Sequence, residues 1–180
     1  MKALLLPLAG LALLIGASVL GLVVAPVDQL SRLEPVGAPR SALAERGARI
    51  YRAEGCAECH TQQLRPVDAA PETSRGWGLR RTVPRDLVRD EVPVLGTLRI
   101  GPDLANVGKR HPDAAWQLRH LYAPSAVVPG SLMPSYAFLF QKRPPGSAPG
   151  EGIVPTADAE ALVAYLLSLD QSVLVPEAKR

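Results

Sequence analysis

Cys56-Ala57-Glu58-Cys59-His60 carries the spacing C-x-x-C-H, and these two cysteines are the only ones in the chain. A pair this close gains little from loop closure, so a fold-stapling disulfide has small value here. The spacing suits a redox pair, half a metal site or the attachment point of a c-type haem. Haem suits it best. Cysteines one helical turn apart can each form a thioether with a vinyl group on one porphyrin edge, and the adjacent histidine then turns its imidazole onto the iron as proximal ligand. A thioredoxin-like pair asks for a preceding strand in a βαβ setting, whereas the residues before Cys56 read as helix. A zinc site needs further ligands and would draw on His111 and His120.

The sixth iron position calls for a second ligand, and a thioether there raises the potential relative to a second histidine. Met133 is the only methionine besides the initiator and lies 73 residues after His60. It stands in PGSLMPSY, where Pro129, Gly130 and Pro134 restrict the backbone and present the sulfur at small ordering cost. Outside any helical stripe, it reads as ligand rather than core filler. His111, followed by Pro112, and His120, inside DAAWQLRHLY, are the alternatives and would give bis-histidine ligation.

These residues need elements to hold them. Ser41 to Gly55 predicts a helix N-capped by Ser41, with Leu43, Gly47, Ile50 and Tyr51 on one face. Thr156 caps a second amphipathic helix, TADAEALVAYLLSLDQ, with Leu162, Tyr165, Leu166 and Leu169 on one side. A residue as small as Gly47 lets two such helices cross closely, with Tyr51 and Tyr165 beside the crossing. The 18 prolines and 4% aromatic content point to long irregular loops around a modest domain. The expected fold is mostly α: one N-terminal transmembrane helix plus a class I-like cytochrome c domain.

From Ala3 to Val27 no residue is charged. About 25 residues at 1.5 Å each give roughly 37 Å of helix, more than the ~30 Å hydrocarbon core of a bilayer. A retained anchor is preferred over a cleaved signal peptide: the run is about twice an ordinary h-region, and the small-residue site Val23-Val24-Ala25 is followed by Pro26. The expected organisation is an anchor over 1–27, a linker over 28–40, a monohaem cytochrome c domain over 41–172 and a tail over 173–180. Lys142 to Pro155, rich in Pro and Gly, reads as a flexible surface loop. The net charge of +3, without a long basic run, gives no support to nucleic-acid binding.

The segments IYRAEGCAECHTQQLRP (50–66), LRIGPDLANVGKRH (98–111) and AWQLRHLYAPSAVVPGSLMPSY (115–136), with the closing helix, resemble subunit II of cbb3-type cytochrome c oxidases, the membrane-anchored monohaem subunit. CHTQ-x-x-RP and GPDL-x-x-VG are its more specific blocks. The resemblance implies one covalent haem c on Cys56 and Cys59 with His60 and Met133 as axial ligands. It also implies that the turn Gly101-Pro102-Asp103-Leu104 presses on the proximal side, the Pro102 carbonyl accepting the His60 ring N–H. Arg65 and Arg99 match basic positions of the family and are expected near haem propionates, against a plain reading as surface charge. The stretch Val67 to Gly96 keeps only Glu72, Arg75, Gly78, Pro93 and Gly96 of the family's pattern, and Ile100 and Ala123 replace a threonine and an asparagine.

The implied function is that of an electron-transfer subunit with no substrate chemistry of its own. Its expected partners are the catalytic haem-copper oxidase subunit, other cytochrome c subunits and membrane lipid. Alternatives are the cytochrome subunit of a nitric oxide reductase, a free-standing anchored electron shuttle, and a zinc-binding membrane protein. Haem is attached to C-x-x-C-H chains outside the bacterial cytoplasm. Residues from about 28 onward are therefore expected in the periplasm, on a single-pass protein of the inner membrane whose Lys2 end stays inside.

Overall fold

The uncharged run from Ala3 to Val27 is rich in Leu and Ala, both strong helix formers. In the computed structural model, which describes residues 2–66, 68–69, 72–142 and 152–178, helical geometry runs from Lys2 to Ser31. Helix α1 covers Lys2–Val19 and α2 covers Ala25–Ser31, joined by a π-helical turn at Leu20–Val24. Pro26 supplies the reason for that turn. It has no N–H to give to the preceding turn, and the ladder widens so that the Ala25 N–H reaches back to the Leu20 carbonyl. The helix outruns the expected boundary at Val27, and Asp28 pairs with Arg32 at 3.0 Å across its last turn. Leu5–Ser31 spans 27 residues, apolar enough to cross a membrane. Its length, about 40 Å, exceeds the ~30 Å of hydrocarbon.

The chain divides into two units. One comprises Met1–Val36 with Pro84–Glu91, in which the Val36 N–H donates to the Arg85 carbonyl at 3.1 Å and Arg85 Nε to the Glu34 carbonyl at 2.6 Å. The other comprises Gly37–Val83 with Val92–Arg180 and holds the core.

In that second unit α3 (Ala42–Ala53) starts where Ser41 Oγ accepts from the Ala44 N–H at 3.2 Å. The short helices α4 (Val107–Arg110), α5 (Ala114–Tyr122) and α6 (Pro124–Val127) follow, and α7 (Ala157–Ser168) starts at a matching Thr156 cap. Helices α3 and α7 cross at Gly47. A Cβ on Gly47 would lie 1.9 Å from the Ala161 carbonyl oxygen and 2.7 Å from Tyr165 Cβ, so only glycine allows this approach. The Tyr51 and Tyr165 rings meet edge to face beside it, centroids 5.3 Å apart.

The buried face of α3 is Ala44, Gly47, Ala48 and Tyr51. Leu43, expected on that face, is 46% exposed. The close crossing needs small residues around Gly47, and the two alanines take the place a leucine would overfill. On α7 the expected face is the observed one, with Leu162, Tyr165, Leu166 and Leu169 all buried.

A two-stranded antiparallel hairpin, β1 (Phe140–Lys142) with β2 (Ile153–Pro155), is the one departure from an all-helical pattern among the described residues. Most of the stretch read as a flexible loop, 143–151, lies outside the described residues. Its ends are paired, and Thr156 closes the hairpin by donating both N–H and hydroxyl to the Leu139 carbonyl. The segment after α7 is strapped down by Arg80, which donates to the Val173 carbonyl at 2.6 Å, and by Arg81, which reaches the Glu177 carbonyl.

Replacing Gly47 by alanine gains about 1 kcal/mol of helix propensity. The added methyl meets a backbone carbonyl that cannot yield, and overpacking of this kind costs about 1–3 kcal/mol or more. Gly47→Ala is expected to lower the thermal unfolding midpoint; an unchanged or raised midpoint would show that the crossing tolerates a Cβ.

Candidate functional site

Helix α3 ends at Ala53, and Gly55, just past its Glu54 cap, turns the chain with a φ of +70° that suits a residue without a side chain. The chain then tightens into a 3₁₀ turn, Cys56–Glu58. The N–H groups of Cys59 and His60 both return to the Cys56 carbonyl, at 3.2 and 3.0 Å, which sets the two thiols one turn apart with the histidine next in line. Both cysteines are free thiols.

The residues around His60 are laced to a second segment, 95–105. Thr97 N–H donates to the Ala57 carbonyl, Gly101 N–H to Cys59 at 3.0 Å, and Leu104 N–H to Thr61 at 2.7 Å, while Gln62 N–H donates to Leu95 at 2.9 Å. This lacing delivers the turn Gly101–Leu104 to the imidazole. His60 Nδ1 lies 2.8 Å from the Pro102 carbonyl oxygen. A carbonyl only accepts, so Nδ1 carries the proton and the Nε2 lone pair is left for another partner. A Cβ on Gly101 would stand 2.2 Å from His60 Cε1, so the ring occupies a slot that glycine alone leaves open.

Burial is the main cause holding the His60 pKa below its ordinary value, with the Arg110 charge in support. The bond to Pro102 and the charge of Asp103 oppose them. The balance favours the neutral ring, the form a metal requires. Burial pushes the Cys56 thiol up to about 11, against the Tyr136 hydroxyl that hydrogen-bonds it. A thiol this weakly acidic lacks the electropositive surroundings of a reactive redox cysteine. An iron porphyrin fits what is present: a neutral imidazole with one nitrogen committed and one open, and two unoxidised thiols a turn away.

Met133 sits on the loop between α6 and β1. Gly130 turns that loop with φ +80°. The Tyr136 N–H ties it back to the Leu121 carbonyl at 2.9 Å, and Ser135 Oγ ties it to the Tyr122 carbonyl at 2.5 Å. Leu132 points outward, 84% exposed, while Met133 packs against the core that Cys56, Ala57 and Tyr136 also touch.

The two other histidines form a column. His111 stacks on Trp116 at 3.9 Å and Trp116 on His120 at 4.9 Å, all nearly parallel. His120 Nδ1 is buried with no hydrogen-bond partner among the described residues. Burial is the main cause holding both pKa values below the ordinary histidine range, with the Arg110 charge in support at His111. Among the described residues no three His, Cys, Asp or Glu side chains gather as a metal cluster.

Arg65 and Arg99 converge on Glu72. The Glu72 carboxylate, 2% exposed, accepts from the Arg65 N–H at 2.6 Å, from Arg65 Nε at 2.8 Å and from Arg99 Nη1. Arg99 also donates Nε to Thr61 Oγ1 at 2.7 Å and Nη2 to the Gln63 carbonyl. The Thr61 hydroxyl donates to Asp103 Oδ2 at 2.6 Å, and Asp103, fully buried, accepts from the Gln63 and Ala105 N–H groups as well. Sequence reasoning gave no role to Thr61 or Asp103 in this network and none to Glu72 beyond a match to a pattern. A buried acid reads like any loop acid until its partners are known.

Residues 2–149 match the model of a family described as cytochrome C oxidase, mono-heme subunit/FixO. No curated protein sequence matches the chain.

With the Cys56 thiol at about 11, each pH unit below that value reduces the thiolate tenfold. Iodoacetamide labelling of Cys56 in the haem-free chain is expected to be slow at pH 7 and to climb about tenfold per unit through pH 10. Rapid labelling at pH 7, read by mass spectrometry of the peptide, would contradict the burial seen here.

Proposed function

Because the chain belongs to the FixO family of mono-haem cytochrome c oxidase subunits, we propose that it holds one covalent haem c and hands single electrons to the oxygen-reducing subunit of a cbb3-type oxidase. The observation that carries this reading is the bond from His60 Nδ1 to the Pro102 carbonyl, with Gly101 against the ring. It leaves the Nε2 lone pair uncommitted on a residue that follows two thiols spaced for thioether formation. When bound, a haem with both axial positions filled supplies a one-electron ferric/ferrous couple and no open site for oxygen.

The chain's own residues divide the remaining work. Cys56 and Cys59 fix the porphyrin edge, and Pro102 orients His60 and raises its basicity. Met133 supplies the thioether from the opposite loop, whose ties to Leu121 and Tyr122 hold it in place. Helices α1 and α2 anchor the chain in the inner membrane with the haem unit on the periplasmic side. Their partners there would be lipid and the other oxidase subunits, so electron transfer need not wait for free diffusion.

A reduced-minus-oxidised visible spectrum of the detergent-purified protein, with haem staining of a denaturing gel, tests the covalent haem. A sharp c-type α-band and a stained band at the chain's mass are expected; a colourless, unstained protein would sink the reading. Met133→Ala is expected to retain the stain but open the ferrous iron to carbon monoxide. An unchanged carbon monoxide response would remove Met133 as ligand.

A further inference from the structure

We propose that Glu72 is a positioning residue that sets the redox potential of the iron held by His60, acting through Arg99 and the Thr61–Asp103 bond. The proposal rests on His60 being an iron ligand.

Three observations lead to it. First, Glu72 is 2% exposed yet stands in an irregular stretch of the chain. Its two oxygens take three donors from Arg65 and Arg99. An ionised carboxylate removed from water so completely needs partners of this kind.

Second, the network runs without a gap to the ligand. Glu72 holds Arg99, Arg99 holds Thr61, and Thr61 is the residue after His60. Thr61 in turn holds Asp103, the residue after Pro102, whose carbonyl accepts the hydrogen bond from His60 Nδ1–H. Both backbone neighbours of the His60–Pro102 bond are therefore fixed by one connected set of charges. Arg99 Nη2 also lies 3.7 Å from Asp103 Oδ2.

Third, Glu72 and Asp103 stand against Arg65 and Arg99, with Arg110 donating to the Asp103 carbonyl as a third cation beside them. The side chain of Arg65 is 51% exposed and that of Arg99 is 19% exposed. Solvent therefore screens Arg65 well, Arg99 less, and the two carboxylates hardly at all.

The electrostatic consequence has a definite sign. Reduction of ferric to ferrous iron by a one-electron donor removes one positive charge from the site and moves no proton and no bond. A fixed negative charge nearby favours the ferric state and lowers the midpoint potential; a fixed positive charge raises it. Arg65 and Arg99 thus act on the iron with Glu72 as their counter-charge. Replacing Glu72 by its isosteric amide uncovers both guanidinium groups, and replacing Arg99 uncovers Glu72 and Asp103.

The test is a spectroelectrochemical titration of the full-length, haem-loaded protein in detergent, with an electrode as electron source. Glu72→Gln is expected to raise the midpoint potential and Arg99→Gln to lower it. The double substitution should return close to the starting value, with the α-band and haem stain unchanged throughout. High salt should leave the Glu72→Gln shift largely in place, because the charge removed is buried. Shifts of the same sign in both single variants, or no shift in either, would overturn the proposal and leave Glu72 a purely structural tie. Should Glu72→Gln fail to accumulate with haem, Arg99→Gln, which leaves the buried Glu72 without its less exposed partner, decides: a downward shift supports the proposal, and no shift or an upward one overturns it. A wild-type protein without covalent haem would instead remove the cytochrome reading itself, a failure visible before any titration.

Discussion

An imidazole binds a metal through a lone pair, and the proton on its other nitrogen must be given to something that will not move. In this chain that acceptor is a main-chain carbonyl, Pro102, two residues into a turn that Gly101 allows to lie flat against the ring. The bond works only if the segment 95–105 stays in register with 57–63. Four backbone hydrogen bonds hold that register, and none of them belongs to a helix or a sheet. Irregular backbone of this length is stable only when its polar groups are satisfied one by one. Much of the polar detail in the second unit is the answer to that requirement.

The helix pair contributes by giving those loops a fixed wall. Helix α7 presents Tyr165 to α3 on one side, and through its hydroxyl it holds Gln62 Oε1 at 2.9 Å, two residues past His60. Helix α3 delivers Cys56 directly from its C-terminal turn. Any change in how closely α3 and α7 cross at Gly47 is therefore carried to both ends of the C-x-x-C-H segment. Arg80, Arg81 and Thr82 extend the same logic outward, pinning the chain after α7 to the loop that follows Glu72.

The sequence made some of this legible because some of it is local. A Ser or Thr before an apolar period marks a helix start whatever surrounds it, and both Ser41 and Thr156 cap as expected. Gly47 announces a close approach on its own. The Leu43 face failed for the opposite reason: periodicity ranks residues by apolarity, whereas a tight crossing selects by size, and Ala44 and Ala48 were the better fit. The hairpin flanking 143–151 was hidden because three-residue strands carry no measurable alternation. Glu72 was hidden most completely, since Arg99 lies 27 residues away in sequence and nothing near Glu72 signals burial.

That last case carries the most physical weight. Buried ion pairs are poor devices for stability, since well-packed apolar residues of similar volume do as well or better in their place. A 180-residue chain with few aromatic side chains had apolar alternatives for filling the space under Arg99. It instead keeps two carboxylates at or near full burial, Asp103 next to Pro102 and Glu72 joined through Arg99 to Thr61. Such an arrangement satisfies the Arg65, Gln63 and Ala105 N–H groups of irregular backbone, and it also produces a field. The group best placed to feel that field is the imidazole and whatever it binds.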